Sequence, residues 1–483
     1  MTTPDIFLAA SLSKTTLLGV GAGGALVVAI WSFYHWRTAV KAALVVALLE
    51  GALRKWAFPQ GQELVYFLKD VFLFGAYLKF FLAPDLDVRS HRLRIPTGLI
   101  LALCVIVAAF ALNPNINSAI ISVFGLKAYF YYLPLLFMMP FLFRTEEELI
   151  KQMTWFTLIA LPICLLGLAQ WRAGPDSILN VYAQRDGDRI TNDGFGAGMG
   201  DRARITGTFS YITGHATFIV FFVTLCLVML TLREARWKWV IAWAILPLLA
   251  VNSLMSGSRS GLYTAAFIIA GMALPAFAGR IGQGTPIRTI LITSITAGGL
   301  IISYWFYEAF FYMSVRTSTA ADTIYERTIG HTHEAMSFAI EKAGWFGYGL
   351  GLTHPATASL KNFLGLAGPA KQPVGVEAEA GNVWMDVGAF GFVAWYAFRF
   401  LLVWLCWRSY TLARTPVQKS FALAAFLLSL PYLSMQVVMN HTASILLFAF
   451  CGLAMLPTLE PLVMLRHRRP QRTGTPSRQP AHG

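Results

Sequence analysis

A chain of 483 residues with a mean hydropathy of +0.59, in which 56% of residues are hydrophobic and only 13% charged, is not a water-soluble domain. Charged side chains make up about a quarter of such domains. The net charge of +14 would suit nucleic acid, but the basic residues fall between apolar runs rather than on one polar face, so membrane topology accounts for them and no nucleic-acid partner is expected.

Apolar runs of about the 20 residues that cross a bilayer recur along the chain and predict an all-α polytopic membrane protein of about twelve or thirteen transmembrane helices. The runs lie at 17–35, 39–53, 63–82, 96–112, 122–143, 149–171, 208–232, 238–254, 261–279, 289–311, 383–407, 420–437 and 442–464. The first resembles a signal sequence, but Trp31 to Lys41 offers no small-residue cleavage site and another span follows at once, so it is expected to be retained. The runs divide the chain into N-terminal helices (1–171), a first outer loop (172–207), central helices (208–311), a large, partly helical outer loop between the tenth and eleventh spans (312–382), C-terminal helices (383–465) and a basic tail (466–483) expected to be disordered.

Short loops rich in Lys and Arg stay in the cytoplasm. Placing the tail inside puts Arg37 with Lys41, Arg89 with Arg92 and Arg94, Arg144 with Lys151, Arg233 with Arg236 and Lys238, Arg280 with Arg288, and Arg408 with Arg414 and Lys419 on the same side. The cations that break this rule then face out: Arg54, Lys55, Arg172, Arg185, Arg189, Arg202, Arg204, Arg259, Arg316 and Arg327. A functional site is expected among them.

Within the early spans Glu50, Arg54, Lys69 and Asp70 are ionisable residues where such residues are costly, and they read either as a ligand site or as a structural ion-pair cluster. Arg202-Ala-Arg204-Ile-Thr-Gly-Thr-Phe209 closes the first outer loop. Ser256-Gly-Ser258-Arg259-Ser260-Gly261 is a tight turn whose free backbone N–H groups open a helix and attract anions, with Arg259 supplying a fork suited to phosphate oxygens and Ser258 or Ser260 a cap. Two arginine sites at one membrane surface suggest a pyrophosphate.

Asp186, Asp188, Asn192 and Asp193 lack the terminal Glu of a calcium loop, and His331-Thr-His333 would point to two faces of a helix, so no metal site is expected. The large loop goes on through Trp345-Phe-Gly-Tyr-Gly-Leu-Gly351 to Glu377-Ala-Glu379-Ala-Gly-Asn382, an apolar glycine-rich wall beside acids that suits a glycan cleft with a general base. Cys104, Cys164, Cys226, Cys406 and Cys451 all fall within spans and read as small core residues. Nucleotide-binding and hydrolase motifs are missing, and no cofactor is expected.

The chain resembles the O-antigen ligase and O-antigen polymerase family over most of its length. The resemblance rests on Glu50-Gly-Ala-Leu-Arg-Lys-Trp56 with Lys69-Asp70, on Arg204 to Phe209, on Ser256 to Arg259, on Gly347-Tyr-Gly-Leu-Gly351 and on Gly388-Ala-Phe-Gly391. It implies a glycosyltransferase using an undecaprenyl-pyrophosphate-linked oligosaccharide at the periplasmic face of a bacterial inner membrane. In that reading Arg204 and Arg259, supported by Arg202, Arg327 and Ser258, hold the pyrophosphate, while Arg54, Lys69, Asp70 and Asn382 contact glycan or support the site. Ligases of the family place His-Asn where this chain has Gly381-Asn382, which favours a polysaccharide polymerase with Glu379 as first choice of base, Glu377 as second, and His331 or His333 as alternatives. A flippase and a chain-length regulator would be its partners. Two rival readings remain: a ligase acting on lipid A core or a protein, and a glycan or lipid transporter with Lys69 and Asp70 relaying protons.

Overall fold

The computed structural model describes residues 14–182, 202–232, 237–279, 293, 296, 298–301, 304–318, 325–371 and 373–461. The protein is an all-α membrane protein. Among the described residues, six helices are long and apolar enough to cross a bilayer: Ala119–Phe141, Glu146–Ala173, Ile212–Thr231, Lys238–Ser256, Arg259–Phe277 and Glu379–Leu412. Leu18–Tyr34, Thr97–Leu112 and His441–Ala454 are apolar but shorter. Helices are the expected solution, because in lipid every backbone N–H and C=O must be satisfied within the chain.

In chain order the principal helices are α1 (Lys14–Tyr34), α2 (Trp36–Ala52), α3 (Leu68–Leu82), α4 (Thr97–Ala108), α5 (Ala119–Phe130), α6 (Glu146–Leu158), α7 (Ala160–Ala173) and α8 (Ile212–Thr231). They continue as α9 (Leu246–Ser256), α10 (Arg259–Phe277), α11 (Tyr307–Ser318), α12 (His331–Ala343), α13 (Pro355–Leu364), α14 (Glu379–Leu412), α15 (Pro416–Ser429) and α16 (His441–Ala454). Helix α8 is the hub. It is buried along almost its whole length and packs against α6, α9, α10, α15 and α16, with Phe222 against Phe156 of α6 and Phe221 against Phe450 of α16. Small residues permit the closest crossings, as expected where lipid supplies no hydrophobic drive between helices. A Cβ at Gly75 of α3 would lie 2.1 Å from the Ala29 carbonyl of α1.

Two expected spans are broken. The run 63–82 is split at Phe67, and the run 420–437 ends its helix at Ser429, after which Pro431, lacking an N–H, starts a short 3-10 turn. The run 289–311 lies largely outside the described residues, as do the tail 462–483 and the acidic stretch Asp186 to Asp193.

The connections sort into two sets, each bonded within itself. At one end Arg37 and Lys79 both reach Asp85 at 3.1 Å, Lys41 reaches Glu148 at 3.1 Å, and Thr415 Oγ1 donates to Glu146 at 2.7 Å. Strands β1 (His91–Leu93) and β2 (Leu459–Pro461) pair antiparallel there, with Arg92 opposite Glu460. At the other end Arg54 donates to Ser210 Oγ at 3.1 Å, Trp56 to the Ile178 carbonyl at 2.9 Å, and Asn115 to the Lys371 carbonyl at 3.0 Å.

The glycine-rich stretch 345–351 is stitched to two helices at this second end. A Cβ at Gly125 of α5 would meet the Leu350 carbonyl at 2.1 Å, and one at Gly388 of α14 would meet the Trp345 carbonyl at 2.1 Å. Gly388 has φ of +58°, a conformation open to glycine at little cost, and it interrupts α14 where the loop docks. Asp386 completes the joint by accepting from Thr353 N at 2.9 Å and from Tyr129 Oη at 3.1 Å.

Candidate functional site

A cavity of about 910 Å³ opens at the second end, walled by the end of α2, the segment 204–214, the 257–260 turn and the loops before α13, α14 and α16. Its first wall is built on the turn between α9 and α10. Gly257 takes a left-handed conformation at φ +63° to end α9, and Ser258 Oγ accepts from Gly261 N at 3.3 Å to start α10. Arg259, the first residue of α10, is 9% exposed and lines the cavity. Arg204 donates from Nε to the Ser256 carbonyl at 3.1 Å, and Arg316 of α11 donates from Nε to the Gly257 carbonyl at 3.1 Å. The turn therefore holds the guanidinium groups of Arg204 and Arg316, drawn by the carbonyls that a helix C-terminus leaves unsatisfied, with Arg259 next to it in sequence and lining the same cavity.

Arg204 sits on a clamped segment. Gln170, fully buried, accepts from Gly207 N at 2.7 Å and Thr206 N at 3.2 Å while donating to the Gly207 carbonyl at 3.1 Å. Lys55 donates to the same carbonyl at 2.8 Å and to Thr206 Oγ1 at 3.1 Å. Burial pushes the Lys55 ammonium pKa down to about 7. A lysine whose folded pKa lies below its unfolded value binds fewer protons folded than unfolded across the window between them, so stability rises with pH from about 7 to about 10.5. The thermal transition of the purified protein should therefore rise on going from pH 7 to pH 9, and the rise should shrink in Lys55→Met. An equal rise in both proteins would refute the assignment.

A buried ionic network backs the second wall. Glu50 pairs with Lys69 and lies 3.7 Å from Arg54, while Lys127 of α5 contacts Asp70 at 3.0 Å and His441 Nδ1 at 2.9 Å. Tyr66 also bonds His441 Nδ1, and the His354 ring lies 4.7 Å from that of His441. Burial, then the charge of Lys127, pushes the His354 pKa down to about 3, so this imidazole is neutral at physiological pH.

The third wall carries Glu377, exposed in the loop before α14, and Asn382, whose side chain bonds both the N–H and the C=O of Val376 and so fixes that loop. The cavity is lined by five cations, Arg54, Lys69, Arg204, Arg259 and Arg316, against three carboxylates, Glu50, Glu63 and Glu377. That excess of positive charge favours an anion.

The expected site residues do not all meet here. Arg204, Arg259, Ser258, Arg54, Lys69, Glu377 and Asn382 line the cavity; Arg202, Asp70, Glu379, His331 and His333 do not. Arg202 pairs with Glu308 at 3.0 Å, and Asp70 lies behind Lys69, where Tyr132 donates to it at 2.6 Å. His331 and His333 lie on α12, His331 within 3.8 Å of Glu334 and His333 exposed. The Arg327 side chain lies outside the described ones.

Glu379, expected as the base, is instead a structural carboxylate. It is fully buried, with Arg399 donating to Oε1 at 2.6 Å and the N–H groups of Val437 and Val438 donating to Oε2, the latter at 2.9 Å. These donors occupy both oxygens, which leaves the group badly placed to take a proton from a substrate in the cavity. Glu63, Tyr66, His354 and His441 line the cavity and were not singled out from the sequence. Among the described residues no group of three or more His, Cys, Asp or Glu could hold a metal ion, and all five cysteines are free. No protein-family model and no curated protein matches the chain.

Proposed function

We propose that the protein is a polysaccharide polymerase that transfers a polyprenyl-pyrophosphate-linked glycan to a sugar hydroxyl of a second lipid-linked unit. The observation that carries this reading is the convergence of Arg204, Arg259 and Arg316 on the 257 turn, facing a polar cavity at one membrane end. Planar guanidinium groups match the oxygens of a pyrophosphate, and fixed cations at a leaving group act where transition-state charge develops. A volume of about 910 Å³ is in the range of small-molecule sites and accommodates a few sugar rings.

In this mechanism Glu377 accepts the proton of the acceptor hydroxyl as its oxygen bonds to the donor's anomeric carbon. The bond from that carbon to the pyrophosphate oxygen breaks with its electron pair, inverting the centre, and the arginines stabilise the departing polyprenyl pyrophosphate. The cavity end is assigned to the periplasm and the Arg37, Arg92 and Arg408 end to the cytoplasm of a bacterial inner membrane by charge bias, with about twelve or thirteen crossings by the length of the apolar runs.

The test is turnover of a defined polyprenyl-pyrophosphate oligosaccharide by the purified protein. Release of polyprenyl pyrophosphate with a lengthened lipid-linked product is expected, and EDTA should leave the rate within about twofold because arginines provide the charge stabilisation. Transport across a vesicle without release would favour a carrier. Loss of turnover with EDTA, restored by magnesium or calcium, would reassign charge neutralisation to a metal and direct attention to Asp186 to Asp193.

A further inference from the structure

A second cavity, of about 420 Å³, lies at the opposite end of the bundle. Its walls are the β1 segment, with Arg92, Arg94 and Ile95, and the last turns of α14, with Trp404 and Arg408. Arg408 follows Gly388, where the second-end loop docks on α14, by 20 residues of helix, about 30 Å. That distance matches the roughly 30 Å hydrocarbon core, so this cavity sits at headgroup level on the surface opposite that loop. The side chains fit the placement. Trp404 and Trp407 are 49% and 45% exposed, with the more exposed Phe400 one turn nearer the bilayer centre, the order of an interfacial aromatic belt above lipid-facing residues.

The charge is unbalanced. Arg92 and Arg94 share one carboxylate, that of Glu460, at 3.7 and 3.1 Å. Arg408 forms no ion pair among the described residues, and its guanidinium lies over the Trp404 ring at 5.4 Å. Three guanidinium groups and one carboxylate leave an excess of two positive charges around an open cavity. The β1–β2 pairing holds Arg92 opposite Glu460 and sets the arginine-bearing segment at a fixed height against α14.

We propose that this cavity binds the phosphate headgroup of an anionic phospholipid, with the acyl chains lying along the exposed aromatic face of α14. The ligand chemistry is a phosphodiester, read by Arg408 and by the charge that Glu460 leaves uncompensated on Arg92 and Arg94. The source is lipid because Trp404, which lines the cavity, is itself half exposed and lies one turn from the exposed Phe400 on α14, an apolar surface that a soluble phosphate would not use. This site is independent of the first cavity and of the reaction assigned there.

The test is native mass spectrometry of the full-length protein in detergent, titrated with phosphatidylglycerol, with phosphatidylcholine of the same chains, and with glycerol phosphate. Phosphatidylglycerol should bind at least fivefold tighter than phosphatidylcholine, about the gain each basic residue near a membrane surface provides. Arg408→Gln should reduce phosphatidylglycerol binding about fivefold and narrow its preference over phosphatidylcholine. Arg92→Gln, a change at an exposed side chain that leaves Arg94 to Glu460, provides an independent variant, and unchanged lipid-free melting temperatures show that both are folded. Equal binding of the two lipids, or a preference that survives both substitutions, overturns the proposal. So does displacement of phosphatidylglycerol by equimolar glycerol phosphate, which would make this a soluble-anion site.

Discussion

Arg259→Ala is expected to abolish polymer formation, lowering turnover by at least two to three orders of magnitude, roughly what loss of one fixed donor at a developing negative charge costs. The side chain is nearly buried at the start of α10 and lines the cavity, while Arg204 and Arg316 each bond a carbonyl of the adjoining turn. Arg259→Lys should recover little, because a point charge on a flexible stem lacks the planar pair of donors. The measurement is release of polyprenyl pyrophosphate by purified protein, with the thermal transition recorded alongside. Wild-type turnover in a folded alanine variant would remove Arg259 from the site.

Glu377→Gln should lower turnover by about two to four orders of magnitude, the usual span for loss of a general base, while donor affinity changes little because that step rests on the arginines. Glu379→Ala should behave differently. It leaves Arg399 buried and unpaired, and breaking a buried pair from one side costs about 3–5 kcal/mol, so a lowered melting temperature is the expected result. If Glu377→Gln retains its rate while a folded Glu379→Gln loses it, the base assignment returns to Glu379 and the Arg399 pairing must open during turnover.

Membrane character, most helix positions and the grouping of connections into two ends were legible in the sequence, because a bilayer enforces span length and charge bias independently of packing. The turn between α9 and α10 was legible too, since Ser256 to Gly261 combines a left-handed glycine with a serine cap at a helix start. The choice between Glu377 and Glu379 was not. It depends on Arg399, 20 residues later on α14, and on the N–H groups of 437–439, which the break at Pro431 frees from any helix. No local pattern links those positions. His354 and His441 were missed because each stands at a helix start, next to Pro355 and Asn440, where it reads as a capping context. A titratable residue opening an apolar run is the signal that would have found His441.

The network around Glu50, Lys69, Asp70 and Lys127 also bears on how the protein is made. Helix α3 has only 15 residues and carries Lys69 and Asp70 in its first turn, and a charge offered alone to the insertion machinery costs about 2.5–3.5 kcal/mol at a helix centre and less near an end. Its partners are divided along the chain: Glu50 lies on α2, synthesised before it, and Lys127 on α5, synthesised after it. Lys69 can be neutralised as a hairpin with α2 during translation, but Asp70 has its counterion only once residue 127 has left the ribosome. Biogenesis of the first five helices is therefore expected to be a joint event, with α3 held at the translocon or in a chaperone's care until α5 arrives.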